Sequence, residues 1–542
     1  FDDGYETMYN VVFPLLKAYN YPAVFAPVTG WLDTPTDQKI AYADKMLDRS
    51  VFATWSQVKE MEQSGLVEVA SHTHNLHNGI NANPSGGQLP SVIAPEYKNG
   101  KYETEDAYKN RLKSDFTRSV QTLVNHIGKK PRVMVWPYGQ FNDVAVQLAR
   151  QSGMPHYFSL GEKIINKVGD KHIGRLLLNA ETDLNTVKNY LDGIDESKQI
   201  QRVLHVDLDY VYDADKAQQA KNLDKLIDRI YRYGVTTVYL QAFSDPDGDG
   251  VADALYFPNK YLPVRDDIFG RIAWQLQTRA GVQVYAWMPV LAFDLRKGVK
   301  EAEYVIDSRT GKPSTKAYLR LSPYNKQNVE IIKSIYNDLS FYAKFNGILF
   351  HDDAFLTDFE GAEGDHAEGM VSPQAKQKTQ DLIQLTHQLT DALKPYFLRG
   401  SYSLKTARNL YASVITNPNA EEWLAQNLKT LTDNYDTTAI MAMPYMENEQ
   451  PISQQEAYQW FASLIENVKA QAPLDKVLFE FQAVNWRTQK PIPESELIDW
   501  MTLLQKNHIY SYGYYPDNFL TNQPDLNKMK PYFSVNTNAG KK

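Results

Sequence analysis

Gly347-Ile348-Leu349-Phe350-His351-Asp352-Asp353-Ala354-Phe355 is an apolar run that ends abruptly in an imidazole and two carboxylates. A strand buried on both faces reads as a continuous apolar run, and barrel enzymes carry their chemistry where such strands end. Working outward, buried-strand runs occur at 202–208, 235–241, 281–288, 346–352, 397–403, 437–444, 476–482 and 508–514. Helical spacing fills the gaps, as with Leu223, Leu226, Ile227 and Ile230, or Val329, Ile332, Ile335 and Tyr336. Eight strands alternating with helices predict a (β/α)₈ barrel over 196–542. The glycine-bearing loop 359–374 is longer than a plain connection and is predicted to be a lid.

The strand ends of this barrel carry Asp207, Asp209, Gln241, Trp287, His351, Asp352, Asp353, Tyr445, Glu480, Tyr514 and Asp517. Carboxylates there suit glycoside hydrolysis, and aromatic rings suit stacking on sugar faces. An acidic cleft also favours substrates that carry ammonium groups. With 35 Tyr and nine Trp in the chain, most rings must simply pack. Asp245-Pro246-Asp247-Gly248-Asp249-Gly250 matches the first half of a calcium loop, but Tyr256 stands where the bidentate Glu belongs, so a tight acidic turn is expected.

The first 195 residues have a separate βα rhythm, with strands at 23–28, 67–70, 132–136 and 156–160 and helices at 54–65 and 140–151. A helix near the start carries Met8, Val11, Val12, Leu15 and Leu16, and a longer one carries Tyr108, Leu112, Phe116, Val120, Leu123 and Ile127. The polar stretch 192–198 places the domain boundary near 195. The chain opens on Phe1-Asp2-Asp3, without Met or a signal peptide, so its natural start is expected upstream. Without cysteine, metal binding falls to His and carboxylate side chains. A net charge of −8 argues against nucleic acid as a partner.

Asp2 and Asp3 are followed by Ser71-His72-Thr73-His74-Asn75-Leu76-His77 just after a strand, and later by the turn Trp136-Pro137-Tyr138-Gly139. Two imidazoles and one carboxylate suit a catalytic divalent metal, with Zn, Ni, Co and Fe all acceptable. The second aspartate is then available as a base, and backbone N–H groups of the turn as an oxyanion hole.

These segments resemble the three motifs of the NodB-type polysaccharide deacetylases. The resemblance implies Asp2 as base, Asp3, His72 and His77 as metal ligands, and the Tyr138 N–H as an oxyanion donor. Three departures stand out: the histidines are five apart, Val135 replaces the usual Arg of the third motif, and Leu177-Leu178-Asn179 lacks the usual acid His. His74 is expected to be a solvated loop residue. The histidine spacing, Ile80-Asn81-Ala82-Asn83 and the attached barrel look like the periplasmic poly-β-1,6-N-acetylglucosamine N-deacetylases of biofilm polysaccharide export. That resemblance implies a β-1,6-linked glucosamine polysaccharide as substrate, a periplasmic location with an outer-membrane lipid anchor in some members, and an export porin as partner. For the barrel it implies cleavage of the partly deacetylated polymer, with Asp352 as acid and Glu480 its best-placed partner. The competing expectations are a barrel that only binds sugar, or a chitin-like or peptidoglycan substrate.

Overall fold

The computed structural model describes all residues except 161–164, 180–181, 193–199, 315–316, 362–370, 401–402, 449 and 537–542. The chain divides into two compact units: Phe1–Ser197 with Lys394–Ser403, and Lys198–Leu393 with Leu404–Lys542. The expected boundary near 195 and most of the expected lid fall outside the described residues.

In the first unit β1 (Asp2–Asp3), β2 (Ala23–Pro27) and β3 (Val67–Val69) form one parallel sheet, in the order β1-β2-β3. A second joins β4 (Val133–Val135), β5 (His156–Leu160) and β6 (His172–Arg175), and the bridge Ser71↔Met134 links the two. Helix Glu105–Ile127 is capped by Thr104 and buries Tyr108, Leu112, Phe116 and Leu123, as its 3.6-residue spacing predicts. The first helical segment departs from expectation. Met8 and Phe13 are buried, whereas Val11 and Leu15 are exposed.

The second unit is a closed barrel of eight parallel strands: β7 (Arg202–Val206), β8 (Thr237–Gln241), β9 (Gln283–Met288), β10 (Gly347–Phe350), β11 (Lys405–Tyr411), β12 (Thr437–Met441), β13 (Val477–Gln482) and β14 (Tyr512–Tyr515). The fifth strand corrects the sequence reading, which places it at 397–403. The apolar run Tyr396-Phe397-Leu398 belongs to the first unit, where Arg399 and Phe141 exchange backbone hydrogen bonds of 2.8 and 3.1 Å. The true strand holds Arg408 and Asn409, buried polar residues that break the apolar pattern but find partners inside. Arg408 donates to the Tyr435 hydroxyl and the Ala354 carbonyl, and Asn409 donates to Glu480. No described helix is long and apolar enough to cross a membrane.

Candidate active sites

The first site lies where β1 and the loop after β3 meet. His77 Nε2 lies 3.1 Å and His72 Nε2 3.3 Å from Asp3 Oδ1. One donor atom from each of these three side chains falls within 4.8 Å of the others. His72 Nδ1 sits 2.7 Å from the Val135 carbonyl, which fixes the proton there and leaves Nε2 free as a ligand. Tyr42 donates to the other oxygen of Asp3 at 2.9 Å. Burial opposes ionisation of Asp3, but the hydrogen bonds from His72 and His77 prevail and hold its carboxyl well below the usual range. The donor set is that of a three-ligand divalent metal site, and the residues fit it.

The histidine loop is held from behind by helix Glu105–Ile127. Asp115 accepts the backbone N–H groups of His74 and Asn75 at 2.8 and 2.7 Å, and the Ser119 and Ser71 hydroxyls lie 2.7 Å apart. Burial still pushes the Asp115 carboxyl up to about 6. His74 is buried, contrary to the expected solvated position, with Nδ1 2.9 Å from the Thr29 hydroxyl.

Asp2 is held by a guanidinium, with His72 near enough to favour its charge. Its two oxygens accept Arg175 Nη1 and Nη2 at 2.9 and 3.0 Å. Burial is outweighed by this hydrogen bonding, so Asp2 stays ionised. Sequence reading missed Arg175. It ends β6 and supplies from another strand the guanidinium that Val135 cannot, while the Val135 carbonyl serves His72. The turn at 136–139 is backbone-strained: Tyr138 has φ 58° and Gly139 φ 68°. A Cβ on Gly139 would come within 2.7 Å of Leu160, so both conformation and space require glycine. The exposed Tyr138 ring packs 4.4 Å from the His77 ring. Leu177 and Leu178 are exposed.

The second site is the mouth of the barrel. Asp352, directly after β10, accepts the Tyr318 hydroxyl at 2.9 Å and the Tyr411 hydroxyl at 2.8 Å, and lies 2.9 Å from His351 Nε2. Burial would raise its carboxyl, but His351, Tyr411 and Tyr318 hold it below the usual range. Three donors stabilise the carboxylate rather than the carboxylic acid, an environment that suits a base or nucleophile better than the acid role expected from the sequence. Asp353 turns the other way. It is fully buried and accepts the N–H groups of Val290, Leu291 and Ala292 that follow β9.

Several other expected sugar ligands are tied to neighbouring protein groups. Asp209 accepts Ser244, Tyr256, Arg265 and the Asp245 N–H. Asp517 is gripped by Arg229 and by the Tyr514 hydroxyl, which places Tyr514 in the core as well. Tyr445 points its hydroxyl at Glu496, 2.5 Å away. Glu480 is buried, with one oxygen 2.5 Å from His205 Nδ1 and the other 2.9 Å from Asn409 Nδ2. Asp245 accepts the N–H groups of Gly248, Asp249 and Gly250, forming the expected tight turn.

What remains around the mouth is one aromatic wall. The Trp287 ring stands 4.1 Å from that of His205, 5.2 Å from that of His351 and 5.6 Å from that of Tyr515. Of the expected residues the structure gathers Asp207, Trp287 and Asp352 around this wall, with Glu480 bonded beneath it through His205. His205, Tyr318, Tyr411 and Tyr515 were not anticipated. For His205 a signal existed, since it is a polar residue inside the otherwise apolar Val203-Leu204-His205-Val206 run.

Comparison with known proteins fits this division. Residues 1–157 match the family of polysaccharide deacetylases, and residues 205–515, more than half the chain, match hypothetical glycosyl hydrolase family 13. The fold and site thus define a polysaccharide deacetylase joined to a glycosyl-hydrolase-like barrel. A poly-beta-1,6-N-acetyl-D-glucosamine N-deacetylase of Escherichia coli (strain K12) is 40% identical over 99% of this chain and 82% of its own length. The chain belongs to that family of N-deacetylases. A Staphylococcus aureus (strain N315) protein of the same name is 27% identical over 36% of this chain and 58% of its own. Among solved structures, the PgaB (BpsB) glycoside hydrolase domain from Bordetella bronchiseptica is 40% identical with TM-score 0.57, covering 62% of this chain and 100% of that one.

Proposed function

We propose that the first unit removes acetyl groups from poly-β-1,6-N-acetylglucosamine with a divalent metal, and that the barrel binds and hydrolyses the partly deacetylated polymer. The observation that carries the first half is the convergence of Asp3, His72 and His77 beside a separately clamped Asp2. Asp3, His72 and His77 would hold the metal, which when bound would supply Lewis-acid polarisation of the amide carbonyl and acidify water. Asp2 accepts the proton of the attacking water, and Arg175 fixes the direction of its carboxylate. The Tyr138 N–H donates to the developing oxyanion, its position set by the strained turn. No imidazole occupies 177–179, so the leaving amine lacks the usual proton donor and deacetylation is slow and partial. By family likeness the protein works in the periplasm, with a lipid anchor at the outer membrane and an export porin accepting its product.

The test is acetate release from a β-1,6-linked N-acetylglucosamine oligomer. Chelated protein is inactive, one equivalent of metal restores it, and mass spectrometry shows products that retain acetyl groups. Acetate release by fully chelated protein would overturn the metal assignment. For the barrel, shortening of partly deacetylated chains with fully acetylated chains spared is the expected outcome, and unchanged chain length is the opposing one.

A further inference from the structure

Among the carboxyls at the strand ends considered above, and among the described residues, Asp207 is the one left without a strong donor. Asp352, Asp353, Asp209, Asp517 and Glu480 each accept two or more hydrogen bonds or ion-pair contacts. Asp207 follows β7 directly and is buried, yet its Oδ1 has no partner among the described residues. Its Oδ2 has only the Tyr515 hydroxyl, at the outer limit of 3.5 Å. A carboxyl taken from water without donors or a cation takes the neutral form, and a neutral carboxyl can donate a proton.

Asp207 and Asp352 are linked through one aromatic ring. The Trp287 ring that touches Tyr515, Asp207's neighbour, also touches His351, which bonds Asp352. Two further buried polar atoms around that ring, His205 Nε2 and Trp287 Nε1, have no hydrogen-bond partner among the described residues, and His351 Nδ1 has only the Asp353 carboxylate 3.7 Å away. A cluster of buried, unsatisfied donors and acceptors is costly unless something polar fills it, and a sugar ring with its hydroxyls does so.

We propose that Asp207 is the proton donor of the barrel's glycoside hydrolysis and that Asp352 is the ionised carboxylate working with it. This rests on the hydrolase reading above and deepens it. The glycosidic C1–O bond breaks with its electron pair going to oxygen, which takes the Asp207 proton and leaves as a hydroxyl. C1 gains its new oxygen in one of two ways: from water that gives its proton to Asp352, or from Asp352 itself, displaced by water in a second step. In the second route the Asp207 carboxylate takes the proton of the displacing water; both routes consume one water, and they give opposite configurations at C1.

The electrostatics agree. Burial, with Asp209, Asp245 and Asp517 nearby, pushes the Asp207 carboxyl up to about 8 against the weak opposing bond from Tyr515. Tyr210 also faces this group, and His205 lies two residues before it on the same strand. Environments that drive two carboxyls in opposite directions mark an acid and its ionised partner.

The test compares two substrates on the full chain: a partly deacetylated β-1,6-linked glucosamine oligosaccharide, and a dinitrophenyl glycoside of the same sugars, whose leaving group needs no proton. In Asp207→Asn, cleavage of the oligosaccharide falls roughly 10²–10⁴-fold, that of the dinitrophenyl glycoside changes less than about tenfold, and the alkaline limb of kcat/KM disappears. Asp352→Asn loses both activities. Retained activity on the dinitrophenyl substrate also shows that Asp207→Asn is folded, and circular dichroism checks this if both activities are lost. Equal loss on both substrates by folded Asp207→Asn, or a leaving-group-dependent loss in Asp352→Asn, overturns the assignment while leaving the hydrolase reading standing. No cleavage of either substrate by the unsubstituted chain overturns both.

Discussion

Two pairs of adjacent aspartates belong to parallel strands, Asp2-Asp3 forming β1 itself and Asp352-Asp353 lying just beyond β10, and their surroundings differ. In a strand, neighbouring side chains point to opposite faces. Asp3 has φ 70°, a left-handed turn that breaks this alternation. Both carboxylates therefore meet partners in the first unit, one the imidazoles and one Arg175. At the second pair only Asp352 faces the mouth, and Asp353 is spent on the backbone after β9. Adjacency in sequence thus says that a strand ends in charge, and the backbone decides how many of the charges face a ligand.

That contrast can be broken at each position. The largest effect is expected for Asp3→Asn, with acetate release falling below detection in a coupled acetate assay because the metal loses its anionic ligand. Asp353→Asn follows. One amide oxygen cannot replace a carboxylate that accepts three N–H groups, and its NH₂ faces those donors. Unfolding of the barrel in urea should show a loss of about 3 kcal/mol, against less than about 1 kcal/mol for Asp352→Asn, whose amide still accepts from the tyrosines. If the two variants unfold alike, the assignment of faces is wrong. Arg175→Lys keeps the charge but loses the two-pronged grip on Asp2, so kcat should drop about tenfold with KM and metal content unchanged. The smallest effect belongs to His74→Gln, about 1 kcal/mol of stability from the lost Thr29 contact, with acetate release nearly intact. A large loss of metal in that variant would make His74 more than a support.

Much of this was legible in the sequence because apolar runs and helical spacing carry it. Seven barrel strands overlap their expected ranges. The fifth was misplaced because Arg408 and Asn409, satisfied inside the barrel, look polar in a one-dimensional reading, whereas Tyr396-Phe397-Leu398 looks like a core strand. The metal donors were readable from residue types and order. Arg175, Tyr318 and Tyr411 were not, because each meets its aspartate across 173, 34 and 59 residues of chain. The environment of Asp352 was legible only in part: His351 adjoins it in the sequence, whereas the two tyrosine donors come from elsewhere in the chain.

The division of labour between Asp2 and Asp3 is tested most directly by metal content. Asp2→Asn and Asp3→Asn are purified, loaded with one equivalent of Zn, passed through a desalting column and assayed by mass spectrometry of the metal. The geometry predicts about one bound ion in Asp2→Asn, with acetate release down roughly 10²–10⁴-fold, and no retained metal in Asp3→Asn. Metal lost from Asp2→Asn, or kept by Asp3→Asn, would contradict it.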